Sequence, residues 1–338
     1  MIVLVMAGAP IPAAASPCHQ FPWPDPEPPG LYAETFQAAR TALENGLRDE
    51  AERWFRIFLQ KYPQGPAAEA AKFAMATFVT ETHDSEGAFL DVIARLRALR
   101  QRYPDSPYAP WALCQIGEFY RQGGWYQEAK GAFEQFLTAY PDHPLTPAVL
   151  IGAGRNFLDS RHHLEAALVF RRILDEPAWH TFYPDAALGL ADSAAAAQAW
   201  DQAQYWYDAV SLERPELIRS SARSLYLRGL TALAHDQIPQ AMEQFLMAFN
   251  LHPHADATGH AMNRLSELLL TRGAEVPALW FADQAIKRFP DRIQGRTGRM
   301  LVLRWAIQDL ANRKESREAD DIRPRLAELG IAVPLSWH

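Results

Sequence analysis

The stretch WALCQIGEFYRQGGWYQEAKGAFEQFLTAYP, residues 111–141, decides the fold. Its apolar and small residues fall at spacings of three and four on either side of Gly123-Gly124. Leu113, Ile116, Gly117 and Tyr120 come first, then Ala129, Phe133 and Phe136. Each set is one face of a helix. The glycine pair marks a turn between the two. Pro141 has no N–H to donate and disfavours helix for the residue before it, so it stops the second segment. The stretch therefore reads as helix, turn, helix, stop.

The same skeleton returns along the chain. The stops fall at Pro63, Pro104, Pro141, Pro177, Pro215, Pro253 and Pro290, at intervals of 41, 37, 36, 38, 38 and 37 residues. A period in this range means stacked supersecondary units. A small residue in the first helix and an alanine in the second stand 12 apart in Ala39/Ala51, Gly117/Ala129, Gly154/Ala166, Ala191/Ala203, Gly229/Ala241 and Ser266/Ala278. Small residues at such positions let two helix backbones approach closely. The second unit is degenerate: it uses Ala76, Ala88 and Val92, and its proline comes four residues late. Four residues are about one turn, which predicts a longer second helix there. Gly123-Gly124, Asp159-Ser160 and Asp236-Gln237 lie where the turn inside a unit belongs.

This pattern resembles the tetratricopeptide repeat family over roughly Tyr32 to Pro290. The match is best where Gly117, Tyr120, Glu128, Ala129, Phe133, Tyr140 and Pro141 stand in order. The family's usual unit is about 34 residues. Here three or four extra residues follow the proline, as in Pro104-Asp105-Ser106-Pro107 and Pro141-Asp142-His143-Pro144. That longer linker looks like the bacterial cell-envelope subgroup, with the outer-membrane assembly lipoprotein and the TolA-binding cell-division coordinator as examples. The resemblance implies an all-α, right-handed α-solenoid of about seven hairpins with a C-terminal capping helix. It also implies a concave groove lined by the first helices. Carried over by register, the groove positions are Arg40, Trp111, Glu118, Arg121, Arg155, Asp185, Asp192, Arg223, Tyr226, His260 and Asn263. Aromatic anchors among charges of both signs suit a peptide-binding surface.

The organisation expected from the sequence is a signal peptide over 1–15, a proline-rich linker over 16–30, the solenoid over 31–293 and capping helices over 294–338. Ile2 to Ala9 is a short apolar stretch, and Ala13-Ala14-Ala15 offers a small-x-small cleavage site before Ser16. The front end departs from a secretory signal, since no Lys or Arg precedes Arg40. Five prolines in residues 19–30 make an extended linker. Cys18 raises lipidation of the first mature residue, against which Pro17 argues. Otherwise it is an incidental cysteine in a leader, and Cys114 a small residue in a helix interface. Two cysteines so placed promise no disulfide framework.

Composition limits function. Nearly half the residues (49%) are hydrophobic and the net charge is −7, with the signs interspersed. No basic stripe points to nucleic acid, and no run of about 20 apolar residues forms a span. Peripheral membrane association stays open. The sequence contains no His-Glu-x-x-His, Cys-x-x-Cys, Gly-x-Ser-x-Gly or phosphate loop. His252, His254, Asp256 and His260 carry metal-ligand chemistry, but they surround the Pro253 turn and read as surface histidines. Arg292, Arg296 and Arg299 share a helical face, with Arg304 beyond, and read as a solvated capping face balanced by Asp291, Asp309 and Glu315. The expectation is a non-catalytic scaffold of the envelope or periplasm, with no cofactor or metal, that binds a protein or peptide. A cytosolic assembly or regulatory protein, and a helical accessory domain of a peptidoglycan-active enzyme, are the alternatives.

Overall fold

The computed structural model describes residues 18, 21–24, 31–78 and 85–312. Among them are 16 α-helices, one short 3₁₀ helix and no strand. The first hairpin is α1 (Leu31–Glu44) and α2 (Arg48–Lys61), followed by α3 (Pro66–Ala76) and α4 (Ser85–Arg102). Next come α5 (Ala109–Gln122) with α6 (Tyr126–Ala139), and α7 (Thr146–Asp159) with α8 (His163–Leu174). The fifth pair is α9 (Tyr183–Ala196) and α10 (Trp200–Glu213), then a five-residue helix, α11 (Pro215–Arg219). The sixth is α12 (Ala222–Ala234) with α13 (Ile238–Leu251), the seventh α14 (Asp256–Leu270) with α15 (Glu275–Arg288), and α16 (Ile293–Asn312) follows. The fold is thus an all-α solenoid of seven hairpins, with the short α11 between the fifth and sixth and α16 after the seventh. The expected elements over 1–15 and beyond Asn312 lie outside the described residues.

The degenerate second hairpin has the long second helix that the late proline predicted: α4 runs 18 residues where α2 and α6 run 14. Ala76, Ala88 and Val92 are all buried. At most stops the residue before proline is the C-cap, held out of helical φ/ψ. Tyr62 (φ −131°) and Tyr140 (φ −136°) show this. Pro177 differs. Asp175 already caps α8, and the proline instead opens the 3₁₀ helix Pro177–Phe182.

The chain divides into two compact bodies, one ending at Gly189 and the other starting at Leu190, within α9. In the first body α5 packs on α6 and on α7, and α7 on α8. In the second α12 packs on α13 and α14, and α14 on α15 and α16. Within each body these hairpins pack helix against helix and against the first helix of the next hairpin, so the core is a row of repeated contacts.

What sits at those contacts explains the 12-residue spacing. Four residues past the conserved-register alanine comes a large side chain, Phe55, Phe133, Phe170, Tyr207 or Phe245, each fully buried. The Phe133 ring lies where Cβ atoms of Gly117 (α5) and Gly152 (α7) would be. Phe170 stands in the same way against Gly154 (α7) and Gly189 (α9). One ring is thus clasped between the first helix of its own hairpin and that of the next. Glycine costs a helix about 1 kcal/mol relative to alanine, and the buried ring offsets it.

The turns share a second feature. Gly46, Gly124, Arg161, Gln198, Asp236 and Gly273 all have positive φ, one in each hairpin turn that lies wholly within the described residues. Closing these hairpins requires a left-handed residue just past the first helix.

Two predictions follow from these geometries. A Gly154→Ala Cβ would lie 2.5–2.9 Å from three atoms of the Phe170 ring, so this variant should lose about 1–3 kcal/mol by overpacking. Gly131→Ala, on the exposed side of α6 with nothing within 4 Å, should gain about 0.5–1 kcal/mol. Urea denaturation of the two reads the opposite signs. Separately, Arg161→Gly should raise the unfolding free energy by about 0.5–1 kcal/mol, because φ is 65° at a position where a side chain is strained.

Candidate functional site

The first helix of each hairpin carries the positions expected to line a groove, and the structure shows what those side chains do. Residues Ala109 to Tyr120 of α5 are all buried, on every side of the helix. Trp111 and Glu118 are therefore inside the stack rather than on an open surface. Asp192 and Asn263 are buried as well.

These polar residues tie one hairpin to the next. Arg121 Nη2 lies 3.0 Å from Glu118 Oε2, and its Nη1 lies 2.5 Å from Asp159 Oδ2 at the end of α7. The Glu118 side chain is fully buried (0% exposed), and its Oε1 has no partner among the described residues. Burial alone would lower the Arg121 pKa. The two carboxylates outweigh it and hold this guanidinium above the ordinary arginine range. One step further, Arg155 Nη2 reaches Asp185 Oδ1 at 3.3 Å, linking α7 to α9.

In the second body Asp192 accepts hydrogen bonds from Tyr207 Oη (2.7 Å) and Ser224 Oγ (2.8 Å), joining α9, α10 and α12. Burial first, then the Asp192 charge, push the Tyr207 phenol well above its usual value, and Arg228 and then Arg223 act in the opposite direction. Tyr226 of α12 lies over His260 of α14, with ring centroids 5.7 Å apart. Asn263 Nδ2 donates to the Gln294 carbonyl at 2.9 Å, joining α14 to α16.

Of the eleven residues expected in a groove, eight therefore serve as struts between successive hairpins: Glu118, Arg121, Arg155, Asp185, Asp192, Tyr226, His260 and Asn263. Arg223 is half-buried beside them on α12. Arg40 pairs locally with Glu44 at 2.8 Å. Arg121, Arg155, Asp185, Arg223, Tyr226 and His260 keep part of their surface exposed.

The histidine constellation does not converge. His252 Nε2 bonds the Arg219 carbonyl, Asp256 pairs with Arg292, and His260 contacts Gln294. Arg296 and Arg299 donate to the backbone carbonyls of Asp291 and Pro290.

The sequence reading missed the N-terminal segment. Cys18 and Cys114 form a disulfide across 96 residues, their Cα atoms 5.9 Å apart. The expectation of an incidental leader cysteine and a free helix-interface cysteine is corrected by this bond. A lipid on the same sulfur is excluded while it stands. Phe21 stacks on Tyr108 (5.2 Å) and meets Trp111 edge-on (4.6 Å). Trp23 packs on Phe36 of α1 and Phe55 of α2, with the Arg40 guanidinium 5.8 Å from its ring. Trp111, expected to anchor a foreign peptide, lies under the chain's own. Two aromatics in a proline-rich stretch, beside a cysteine, were the available signal.

Removing the charge at Arg121 should be costly. Arg121→Met leaves Glu118 buried without its counter-charge, and a loss of about 3–5 kcal/mol is expected in urea denaturation. Arg40→Met, whose ion pair is half-exposed, should cost less than about 1 kcal/mol.

Comparison with known proteins agrees with the architecture. Residues 111–143 match the tetratricopeptide repeat model. No curated protein matches the chain. A crystal structure of a tetratricopeptide repeat protein from Parabacteroides merdae superposes with a TM-score of 0.55 at 14% identity, covering 80% of this chain and 98% of that one. PilW, a type IV pilus biogenesis factor, superposes with a TM-score of 0.50 at 16% identity, covering 70% and 100%. Identities this low bear on the fold alone. No described helix is long and apolar enough to cross a membrane. Seven helix hairpins, one of which matches the repeat itself, give this chain a tetratricopeptide-type helical-repeat fold, the kind that generally mediates protein–protein interaction.

Proposed function

We propose that the chain is an exported, non-catalytic scaffold of the bacterial envelope that holds a segment of a partner protein along its first helices. The observation that carries this is residues 18–24. Here residues 21–24, a non-helical stretch of polypeptide, are already held through aromatic packing on Trp111, Tyr108 and Phe36. A rigid row of hairpins binds such a segment without first ordering itself, which keeps the entropic cost of association low. The partly exposed side chains Arg155 and Asp185 in the first body, and Arg223, Tyr226 and His260 in the second, each stand on first helices and supply charge of both signs.

The location is supported by the disulfide. Such bonds persist in oxidising compartments and are rare in the cytosol. The bond engages Cys18, two residues beyond the cleavage expected before Ser16, so a mature chain would retain it. A protein-interaction fold in an oxidising envelope space accounts for both the repeat and the cysteine pair.

Fractionation with mass spectrometry and in-cell thiol labelling tests the location. A mature start at Ser16 with both thiols blocked is expected. An intact Met1 in the cytosol with both thiols free would contradict it. Photocrosslinkers at Tyr226 and Arg155 should capture a protein partner, while one at Leu164 on α8, 75% exposed, should not. Equal capture at all three positions would remove the first-helix assignment.

A further inference from the structure

Cys18 and residues 21–24 are held as a ligand is held. Pro22 stands between Phe21 and Trp23, and Trp23 N donates to the Phe21 carbonyl at 3.0 Å. That three-residue turn sets the two rings on one side, 4.4 Å apart. They reach different hairpins, Phe21 on α5 and Trp23 on α1 and α2. Gln115 Nε2 donates to the Cys18 carbonyl, and the disulfide fixes that end. Beneath lie Tyr108, Trp111 and Gln115, all almost fully buried.

The fit is incomplete. The Trp111 indole N–H is buried without an acceptor among the described residues. An unmet donor of this kind costs about 1–3 kcal/mol. Burial first, then Glu69, push the Tyr108 phenol up to about 12. This face is covered and desolvated, yet one of its donors finds no acceptor among the described residues.

We propose that residues 21–24, tethered through Cys18, are a redox-held occupant of a peptide-binding face on α1 and α5, and that cleavage of the Cys18–Cys114 bond opens this face to an aromatic-proline-aromatic segment of another protein. The reductant is a dithiol. It gives two electrons and two protons to the pair, the Sγ–Sγ bond breaks into two thiols, and the dithiol becomes a disulfide. Once released at Cys18, the segment competes only as a tethered peptide, and a free segment offering an acceptor to Trp111 displaces it. The proposal rests on the scaffold reading above and adds the partner's chemistry and its control.

The probe is a fluorescein-labelled peptide of residues 19–24, with anisotropy measured on the full chain. The oxidised chain should bind it at least tenfold more weakly than the dithiothreitol-reduced chain or Cys18→Ser. Trp111→Ala in the Cys18→Ser background should abolish binding. Should Cys18→Ser fail to fold, a Phe21→Ser/Trp23→Ser variant keeps both cysteines. Once reduced it should bind at least as tightly as the reduced wild type, because its own strap no longer competes. Equal binding by oxidised and reduced chains overturns the proposal. Alkylation of Cys114 by iodoacetamide after reduction reads strap release independently. Fast alkylation without peptide binding overturns the peptide face, and with it the scaffold reading at this surface. Blocked alkylation overturns the redox control alone and leaves the scaffold reading standing.

Discussion

The stack depends on one contact, an aromatic ring clasped between the small residues of two successive first helices. Phe170 between Gly154 and Gly189 is the clearest instance, and Phe133 between Gly117 and Gly152 repeats it. A hairpin alone would leave half of this ring in water. Burying a phenylalanine fully contributes roughly 1.5–3 kcal/mol, so each hairpin is completed by its successor. The period of the chain is the period of this contact. It explains why the small residue and the alanine keep their separation while the surface residues between them vary.

A polar layer runs beside the aromatic one. Arg121 with Glu118 and Asp159, Arg155 with Asp185, and Asp192 with Tyr207 and Ser224 each bridge neighbouring helices. Paired buried charges add little net stability against an apolar replacement, but breaking one partner is costly. They fix which side chains face which, and so hold the first helices in register. The N-terminal strap uses the same helices from another direction, through rings rather than charges.

Much of the fold was legible because its determinants are local and repeated. The prolines, the spacing of 12 and the turn at Gly123-Gly124 gave hairpins, their number and even the longer α4. The candidate site was less legible. A first helix in a stack is flanked by its partner and by both neighbouring hairpins, so register alone does not separate a position facing solvent from one facing the next hairpin. Trp111, Glu118, Asp192 and Asn263 fell on the buried side for that reason. The disulfide escaped because it joins residues 96 apart in sequence, one of them in a stretch whose prolines signal only extension. Pro177 misled for a local reason, since Asp175 had already ended α8.

The account's central claim is that neighbouring hairpins are coupled through the clasped ring. A double-mutant cycle on Phe170→Leu and Gly189→Ala measures this directly, because the two residues sit on different hairpins and meet only at the ring. The account predicts a coupling free energy of about 1 kcal/mol or more, with the smaller ring relieving the strain of the added methyl. Additivity to within about 0.3–0.5 kcal/mol, the behaviour of independent sites, would contradict it.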